Sequence, residues 1–431
     1  MRILVAGASG FIGSHVAAHL QALGHDVLAA ARGVTRASRR QPDLNWIACD
    51  FRTDRVEDWR ARLKGVEAVV NCVGVLQDGL GDDSRAVHVE GAHALFQACE
   101  EAGVRRVLHI SAVGVEDAAG SAYSRDKLAG EAALKDRALD WLILRPSLVI
   151  ARNVYGGTAL IRSLCGLPFI TPVVGGEQVF RPIAMEDVCA AIAQLVEPDA
   201  PSRQSFDLAG PEPVRFDDLF RAYRRWLGFG ESRIWSIPRW LARPAFWFGD
   251  ALGWLGVRTS MRTNSLKQLD FDVEGNPEPW LAATGATPTG FHAWLAAHPS
   301  GVQDRWQARL GFTRPLARWV LGLYWLLTGI LSLTIARDHA YQVLTEAGFD
   351  AASRPPLLWF GSLFDIAMGL AMVAKWHVRS IAAIMVLGTF GYVATLSWTY
   401  PVQWADALGP ILKVFPMMAL ALMIAATEDE R

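Results

Sequence analysis

Excess charge of either sign is missing from this sequence. Across 431 residues, 42 Lys and Arg stand against 43 Asp and Glu, for a formal net charge of −1. The electrostatic footprint of a nucleic-acid binder is therefore absent, and nucleic acid is not expected among its partners. Cysteine is also scarce. Cys49, Cys72, Cys99, Cys165 and Cys189 are the five, and none forms a C-x-x-C pair. They read as buried thiols in a reducing compartment rather than as disulfides or metal ligands, and no metal site is expected. No charged leader precedes the first apolar run, so no signal peptide is expected. Apolar residues, by contrast, are abundant: 52% of the chain, with a mean hydropathy of +0.19. The excess lies in the last quarter. The length allows two or three domains.

The stretch Val5–Gly13 (VAGASGFIG) organises the chain as far as about Ser300. Met1–Ala6 is an apolar run suited to a buried parallel strand. Gly7, Gly10 and Gly13 come next, and then a helical pattern through Phe11, Ile12, Val16, Leu20 and Leu23 stops at Gly24. A strand, a glycine-rich turn and a helix form the context in which these glycines signify dinucleotide binding. They allow a tight turn and close approach of the backbone to a pyrophosphate. The helix N-terminus, here Ser9 to Gly13, supplies N–H donors and partial positive charge.

The second strand, His25–Ala31, ends at Arg32, and no acid lies between Val27 and Thr35. An NAD site usually closes this strand with Asp or Glu on the ribose 2′-hydroxyl, whereas an Arg suits a 2′-phosphate. NADP(H) is therefore expected over NAD(H), with Arg32 as the discriminating residue. Further strands are expected at Asn45–Cys49, Ala68–Val73, Arg106–Ile110 and Trp141–Leu144, with a helix over Val87–Ala102. This alternation predicts an α/β fold, a doubly wound Rossmann-type parallel sheet with ligands at the carboxyl ends of its strands. Asp50, after strand 3, is placed to hydrogen-bond the adenine or else to cap a turn. Asn71 to Gly74, after strand 4, would run along the adenosine and ribose.

The candidate chemistry lies beyond strand 5. Ser111 ends that strand, and Tyr123 and Lys127 open the next helix four residues apart, on one face. A phenol near its ordinary pKa of ~10 is a poor acid or base at neutral pH. A neighbouring ammonium and a nicotinamide's positive charge would favour the phenolate and bring it into range. Ser111 would hydrogen-bond the substrate oxygen, and Lys127 would also hold the nicotinamide ribose.

Through Gly7-Ala8-Ser9-Gly10-Phe11-Ile12-Gly13, Ser111 and Tyr123-x-x-x-Lys127, residues 1–300 resemble the short-chain dehydrogenase/reductase superfamily, in its extended and atypical members. Asn71-Cys72-Val73-Gly74-Val75-Leu76, His88-Val89-Glu90-Gly91, His109-Ile110-Ser111-Ala112-Val113-Gly114 and Arg145-Pro146-Ser147 resemble more closely the branch containing the nucleotide-binding accessory subunit of respiratory complex I. The resemblance implies an NAD(P)-binding domain with a small substrate lobe, mainly within 150–300. It also implies that such a chain can hold NADPH without turnover.

Within that lobe Glu186 and Asp187 read as helix-start residues. Asn153, Tyr155 and Arg181 are candidates to face substrate. Asn276–Ala286 reads as a loop before a closing helix around Phe291–Leu295. Pro238–Gly256 spaces Trp240, Trp247 and Trp254 along one helical face. It suits a membrane interface, the wall of an apolar pocket, or packing between lobes.

After an expected linker, 301–316, the composition changes. Ala317–Ala336, Leu357–Ala374, Val378–Trp398 and Ile411–Ala426 are apolar runs near membrane thickness, ~20 residues. They predict an all-α bundle of four transmembrane helices over 317–427. Arg305, Arg309, Arg314 and Arg318 precede or open the first span, and Lys375 and Arg379 flank the turn between the second and third. Thr399–Pro410 has no Lys or Arg. The positive-inside rule therefore puts the N-terminal domain and Glu428–Arg431 on the cytoplasmic side of the inner (plasma) membrane. In pattern and placement this quarter resembles the DoxX-like family. Asp365, in the middle of the second span, is a functional candidate by its cost, or a protonated packing residue. Lys413 snorkels.

These readings converge on a membrane-anchored, NADP(H)-dependent short-chain-type oxidoreductase acting on a carbonyl or quinone of an apolar small-molecule substrate. The expected surroundings are the lipid bilayer and a possible membrane redox partner. A non-catalytic NADPH-binding assembly or sensor subunit stays open, as does an NAD-dependent nucleotide-sugar epimerase or dehydratase.

Overall fold

The structure, a computed structural model, describes residues 1–75, 83–116, 120–254, 263, 266, 273–405, 409 and 411–428, with backbone alone for 252–254. Leu76, residues 255–256, Pro410 and residues 429–431, named above, lie outside these, as does the side chain of Trp254. The chain divides into two units, Met1–Ala308 and Arg309–Arg431.

The first unit is built on seven parallel strands: β1 Arg2–Ala6, β2 Asp26–Ala31, β3 Asn45–Ala48, β4 Ala68–Asn71, β5 Arg106–Ile110, β6 Asp140–Pro146 and β7 Gln204–Leu208. Their order is β7-β6-β5-β4-β1-β2-β3. The order reverses between β1 and β4, and ligands bind at the carboxyl ends of such a switch point. β1 shows why its sequence is apolar from Ile3 to Ala6. Ile3 and Val5 join one core and Leu4 and Ala6 the other, all at 0% exposure. Each large side chain so buried contributes roughly 1.5–3 kcal/mol.

Helices cover both faces. α1 Phe11–Ala22 follows β1, α2 Val34–Arg40 follows β2 and α3 Val56–Arg62 follows β3. A π-helical turn, Ala86–Gly91, leads into α4 Ala92–Ala102, within the single helix expected there. α5 Ala122–Lys135 precedes β6. Val16, Ala17 and Leu20 of α1 face the first core, and Leu95, Phe96 and Cys99 of α4 face the second. β4 stops two residues short of the expected Val73 because the Asn71 side chain accepts the Val73 N–H at 3.1 Å and turns the chain.

The rest of the first unit adds α6 Gly156–Cys165, α7 Met185–Leu195, α8 Phe216–Trp226 and α9 Arg239–Trp254. α6 and α8 build a third core with Phe291 and Trp294, whereas α7 packs in the first. The loop expected over Asn276–Ala286 is a correction. It contains α10 Glu278–Thr284. Its Pro and Gly punctuate helix ends: a Pro sits in the first turn, where no donor is lost, and Gly285 ends the helix at φ 65. Trp280, 1% exposed, anchors α10 in the first core. α11 Phe291–Ala297 is the expected closing helix.

The remaining helices are α12 Val302–Leu333, α13 Arg337–Glu346, α14 Arg354–Val373, α15 Val378–Thr399 and α16 Val414–Thr427. The expected linker is thus helical from Val302. Among the described residues, α12, α14 and α15 are long and apolar enough to cross a membrane. The fourth expected span, Ile411–Ala426, is the shorter α16, of 14 residues. It closes the bundle core through Ala421 and Ile424, packed with Leu321, Met372, Ile381 and Met385.

Candidate functional site

The β1–α1 turn is shaped by backbone. Gly7 sits at φ 76, a conformation open to glycine. Its N–H and that of Ala8 both donate to Ala30 O, at 2.9 and 3.1 Å, which ties the turn to β2. A Cβ on Gly13 would lie 2.3 Å from Gly7 O, so α1 approaches the turn as only glycine allows. Gly10 caps α1 with no side-chain hydrogen bond, and no acid stands in the first turn. The helix N-terminus therefore keeps donors and positive potential for an anion. Ser9 and Gly10 are exposed, whereas Phe11 and Ile12 are half-buried against the first core. The Phe11 ring also stacks on Tyr155, centroids 6.2 Å apart.

At the far end of this groove the fold brings Arg32 and Asp50 together from β2 and β3. The Asp50 carboxyl is held below its ordinary range, first by its hydrogen bonds with Arg52 and in part by the Arg32 charge. Arg52 grips it as a fork, Nε to Oδ1 at 2.9 Å and Nη2 to Oδ2 at 2.5 Å. Any adenine contact at Asp50 is shared with that arginine. Asn71 is turned inward at 1% exposure. Its amide donates to His109 Nδ1 at 3.1 Å, which leaves the proton of a neutral His109 on Nε2. The Asn71 side chain therefore shapes the end of β4 from beneath. Gly74 does border the site: its Cβ position is 3.8 Å from Lys127 Nζ and 3.5 Å from the His88 ring.

Ser111, Tyr123 and Lys127 are delivered by the end of β5 and the start of α5. Ser121 caps α5, accepting the Ser124 N–H at 3.0 Å, and this sets the helix phase that turns Lys127 inward. Lys127 is 4% exposed and donates to Ile110 O at 2.8 Å. Burial pulls its ammonium down to about 8, partly opposed by Glu131 one turn on. The Ser111 hydroxyl is buried and has no partner among the described residues. Tyr123 lies edge-on to His88, centroids 5.7 Å apart. Burial raises its phenol to about 12, and Lys127 is not among the causes. This corrects the expectation from spacing: shared helix face notwithstanding, the ammonium is committed to the Ile110 carbonyl and the phenol rests neutral.

Two parts of the site have no role that local pattern assigns. His88 is buried in the π-helical turn with Nε2 at 2.9 Å from Val75 O, and its Nδ1 has no partner among the described residues. Burial and the Lys127 charge lower its pKa to about 3, so it is neutral. Glu131, 1% exposed, takes Arg145 in a fork at 3.0 and 2.6 Å. The available signals are a histidine at the head of an apolar helix and the four-residue spacing from Lys127 to Glu131. Beyond Ser111, Val113, Glu116, Arg145, Asp207 and Gly275 border a polar cleft of 240 Å³.

Glu186 and Asp187 serve the framework, as expected of helix-start residues. They open α7, accepting Trp294 Nε1 at 3.1 Å and Thr289 N–H at 2.8 Å. Asn153 meets His15 Nε2 at 3.0 Å, and Arg181 donates to Pro211 O at 3.1 Å. Tyr155 remains 56% exposed above Phe11. The residues present fit a dinucleotide: a glycine cradle that a Cβ would fill, an uncapped helix start, and a buried hydroxyl without a partner among the described residues, one residue beyond the carbonyl that holds Lys127.

Comparison with known proteins agrees. Residues 7–164 match the NAD(P)H-binding family and residues 322–422 the DoxX-like family. The chain is 26% identical over 294 residues to rat mitochondrial NADH dehydrogenase [ubiquinone] 1 alpha subcomplex subunit 9, covering 66% of this chain and 76% of that one. It is 27% identical over 274 residues to an epimerase family protein of Mycobacterium leprae, covering 58% and 83%. Among solved structures, UDP-glucuronic acid 4-epimerase from Bacillus cereus, in complex with UDP-glucuronic acid and NAD, aligns with a TM-score of 0.53 at 17% identity. That alignment covers 69% of this chain and 97% of the epimerase. The protein therefore carries an NAD(P)-binding, epimerase-like Rossmann domain followed by a DoxX-like region whose apolar helices are those of a membrane protein.

Proposed function

We propose that this NAD(P)-binding domain, joined to its DoxX-like region, is a membrane-anchored oxidoreductase of the short-chain type that uses NADPH to reduce a carbonyl or quinone of an apolar substrate. One observation carries the reading: the Ser111 hydroxyl is buried without a partner among the described residues, next to the carbonyl that anchors Lys127. A buried, unsatisfied donor costs stability and is retained where a ligand completes it.

When bound, the cofactor supplies the hydride. The Ser111 hydroxyl and Tyr123 phenol orient and polarise the substrate oxygen, and Tyr123 gives that oxygen its proton. A phenol held near 12 is protonated at neutral pH, the form that reduction requires. Lys127 would hold the nicotinamide ribose with the protons that its bond to Ile110 O does not use. Gly7 to Gly13 hold the pyrophosphate. Arg32, at the open end of β2, supports a preference for the 2′-phosphate of NADP(H). The apolar substrate class follows from tethering to the bilayer. Arg305, Arg309, Arg314 and Arg318, in the N-terminal part of α12, support a cytoplasmic first unit at the inner (plasma) membrane. A membrane redox partner fits the same setting.

The likeness to a complex I subunit supports a second reading, a nucleotide-loaded assembly or sensor subunit. The test uses the whole protein in mild detergent, loaded with NADPH, with nicotinamide fluorescence followed as carbonyls and quinones are added. Signal loss in wild type but not in Tyr123→Phe is the expected result. A bound signal that no compound changes favours the assembly subunit. Binding of NADH alone favours the epimerase reading.

A further inference from the structure

The lobe after residue 150 exposes aromatic surface that stays uncovered among the described residues. α9 buries Ala242 and Phe246 against Leu266, Val174 and Ile237. Its opposite arc carries Trp240, Trp247 and Phe248, at 69%, 63% and 64% exposure. Positions 240, 247 and 248 share one arc at the helical period. The parallel pair Ile170–Val174 and Arg233–Ile237 runs into α9. Trp235 and Ile170 are exposed there, and Phe169 stands 87% exposed at φ 65, a backbone conformation a bulky side chain rarely takes. Between residues 232 and 249 there are three arginines, Arg233, Arg239 and Arg243, and no acid; all three are exposed.

We propose that α9 and this strand pair form an interfacial seat that lies among the headgroups of an anionic lipid bilayer. Exposed Trp and Phe on one arc, with arginines beside it, is the arrangement of a helix lying in a membrane interface. A bilayer is at hand, because the same polypeptide supplies apolar helices of spanning length. Charge favours lipid. Arg239 and Arg243 lie on α9 beside the aromatic arc, where anionic headgroups attract them. Packing within the lobe, the blandest account of these tryptophans, does not hold for exposed rings. The inference rests on the membrane reading and is independent of whether the nucleotide turns over.

The test places nitroxide labels on the full chain in nanodiscs of phosphatidylcholine and phosphatidylglycerol, at Trp247→Cys and Phe248→Cys, with exposed Glu57→Cys as the water-facing reference. Four of the five native cysteines are buried, which limits background labelling. The expected result is a several-fold excess of oxygen over nickel-chelate collisions at 247 and 248, reversed at 57. Arg239→Gln with Arg243→Gln shifts the 248 label toward water in the anionic discs. Water-like collision ratios at both 247 and 248 overturn the proposal. So does spin–spin broadening at 248 that vanishes on dilution with unlabelled chain, which would assign the face to a second copy.

Discussion

Lys127 donates a 2.8 Å hydrogen bond to the main-chain carbonyl of Ile110, the last residue of β5 and the neighbour of Ser111. The ammonium on α5 and the hydroxyl at the strand end are thereby held as one unit. The charge sits on the strand that presents the serine, not on the tyrosine.

This gives a pH signature. The lysine is lowered to about 8 and the phenol raised to about 12, so the first group to titrate above neutrality is Lys127. Reductase activity should fall on an alkaline limb near 8. Glu131→Gln removes a charge that raises Lys127, so the limb should move to lower pH, as a kcat against pH series would show. Stability follows the opposite sign. Between about 8 and the ordinary value of 10.5, the unfolded chain holds the proton that the folded one has released. This group's contribution therefore rises with pH across that window. Denaturant melts of wild type and Lys127→Met should converge as pH rises.

Tyr123→Phe removes the acid and leaves the ring packed edge-on to His88. Turnover should fall by about 10²–10⁴, with NADPH affinity unchanged in a fluorescence titration. Retained turnover would remove Tyr123 from the mechanism.

Ser111→Ala separates rate from stability. Its hydroxyl has no partner among the described residues, so the fold loses no hydrogen bond. The melting temperature should hold or rise slightly, while kcat drops on the order of 10². A matching loss of both would mark Ser111 as structural.

Gly13→Ala places a methyl 2.3 Å from the Gly7 carbonyl. Overpacking of that kind costs about 1–3 kcal/mol and opens the turn, so nucleotide binding should be lost in calorimetric titration while the membrane region still extracts normally.

Arg32→Asp should exchange NADPH preference for NADH, because it removes the cation for a 2′-phosphate and restores an acceptor for a 2′-hydroxyl. The ratio of dissociation constants for the two cofactors is the measurement. An unchanged ratio would leave the selectivity with other residues.

Much of the fold was legible locally. Ile3–Ala6 and Ala68–Val70 are apolar without alternation, which is the mark of strands buried on both faces. Three of the four expected spans, α12, α14 and α15, were legible from length and hydropathy, whereas α16 is shorter than a span. Asn276–Ala286 was not, because Pro and Gly mark helix ends as readily as loops, and burial of Trp280 decided between them. Nor could the pattern show that Asn71 turns toward His109, or that Glu131 is already held by Arg145.

The Rossmann alternation, the glycine turn, the Tyr123–Lys127 spacing and the apolar helices each depend on residues a few positions apart, so the chain's own order was enough to specify them. The state of those groups came from tertiary packing. Lys127 reaches Ile110 O and not the phenol, Tyr123 is raised by burial alone, and Trp240 and Trp247 of α9 face outward. Desolvation and hydrogen-bond choice depend on which distant segments close over a side chain, and helical period places a residue on a face without saying what covers it.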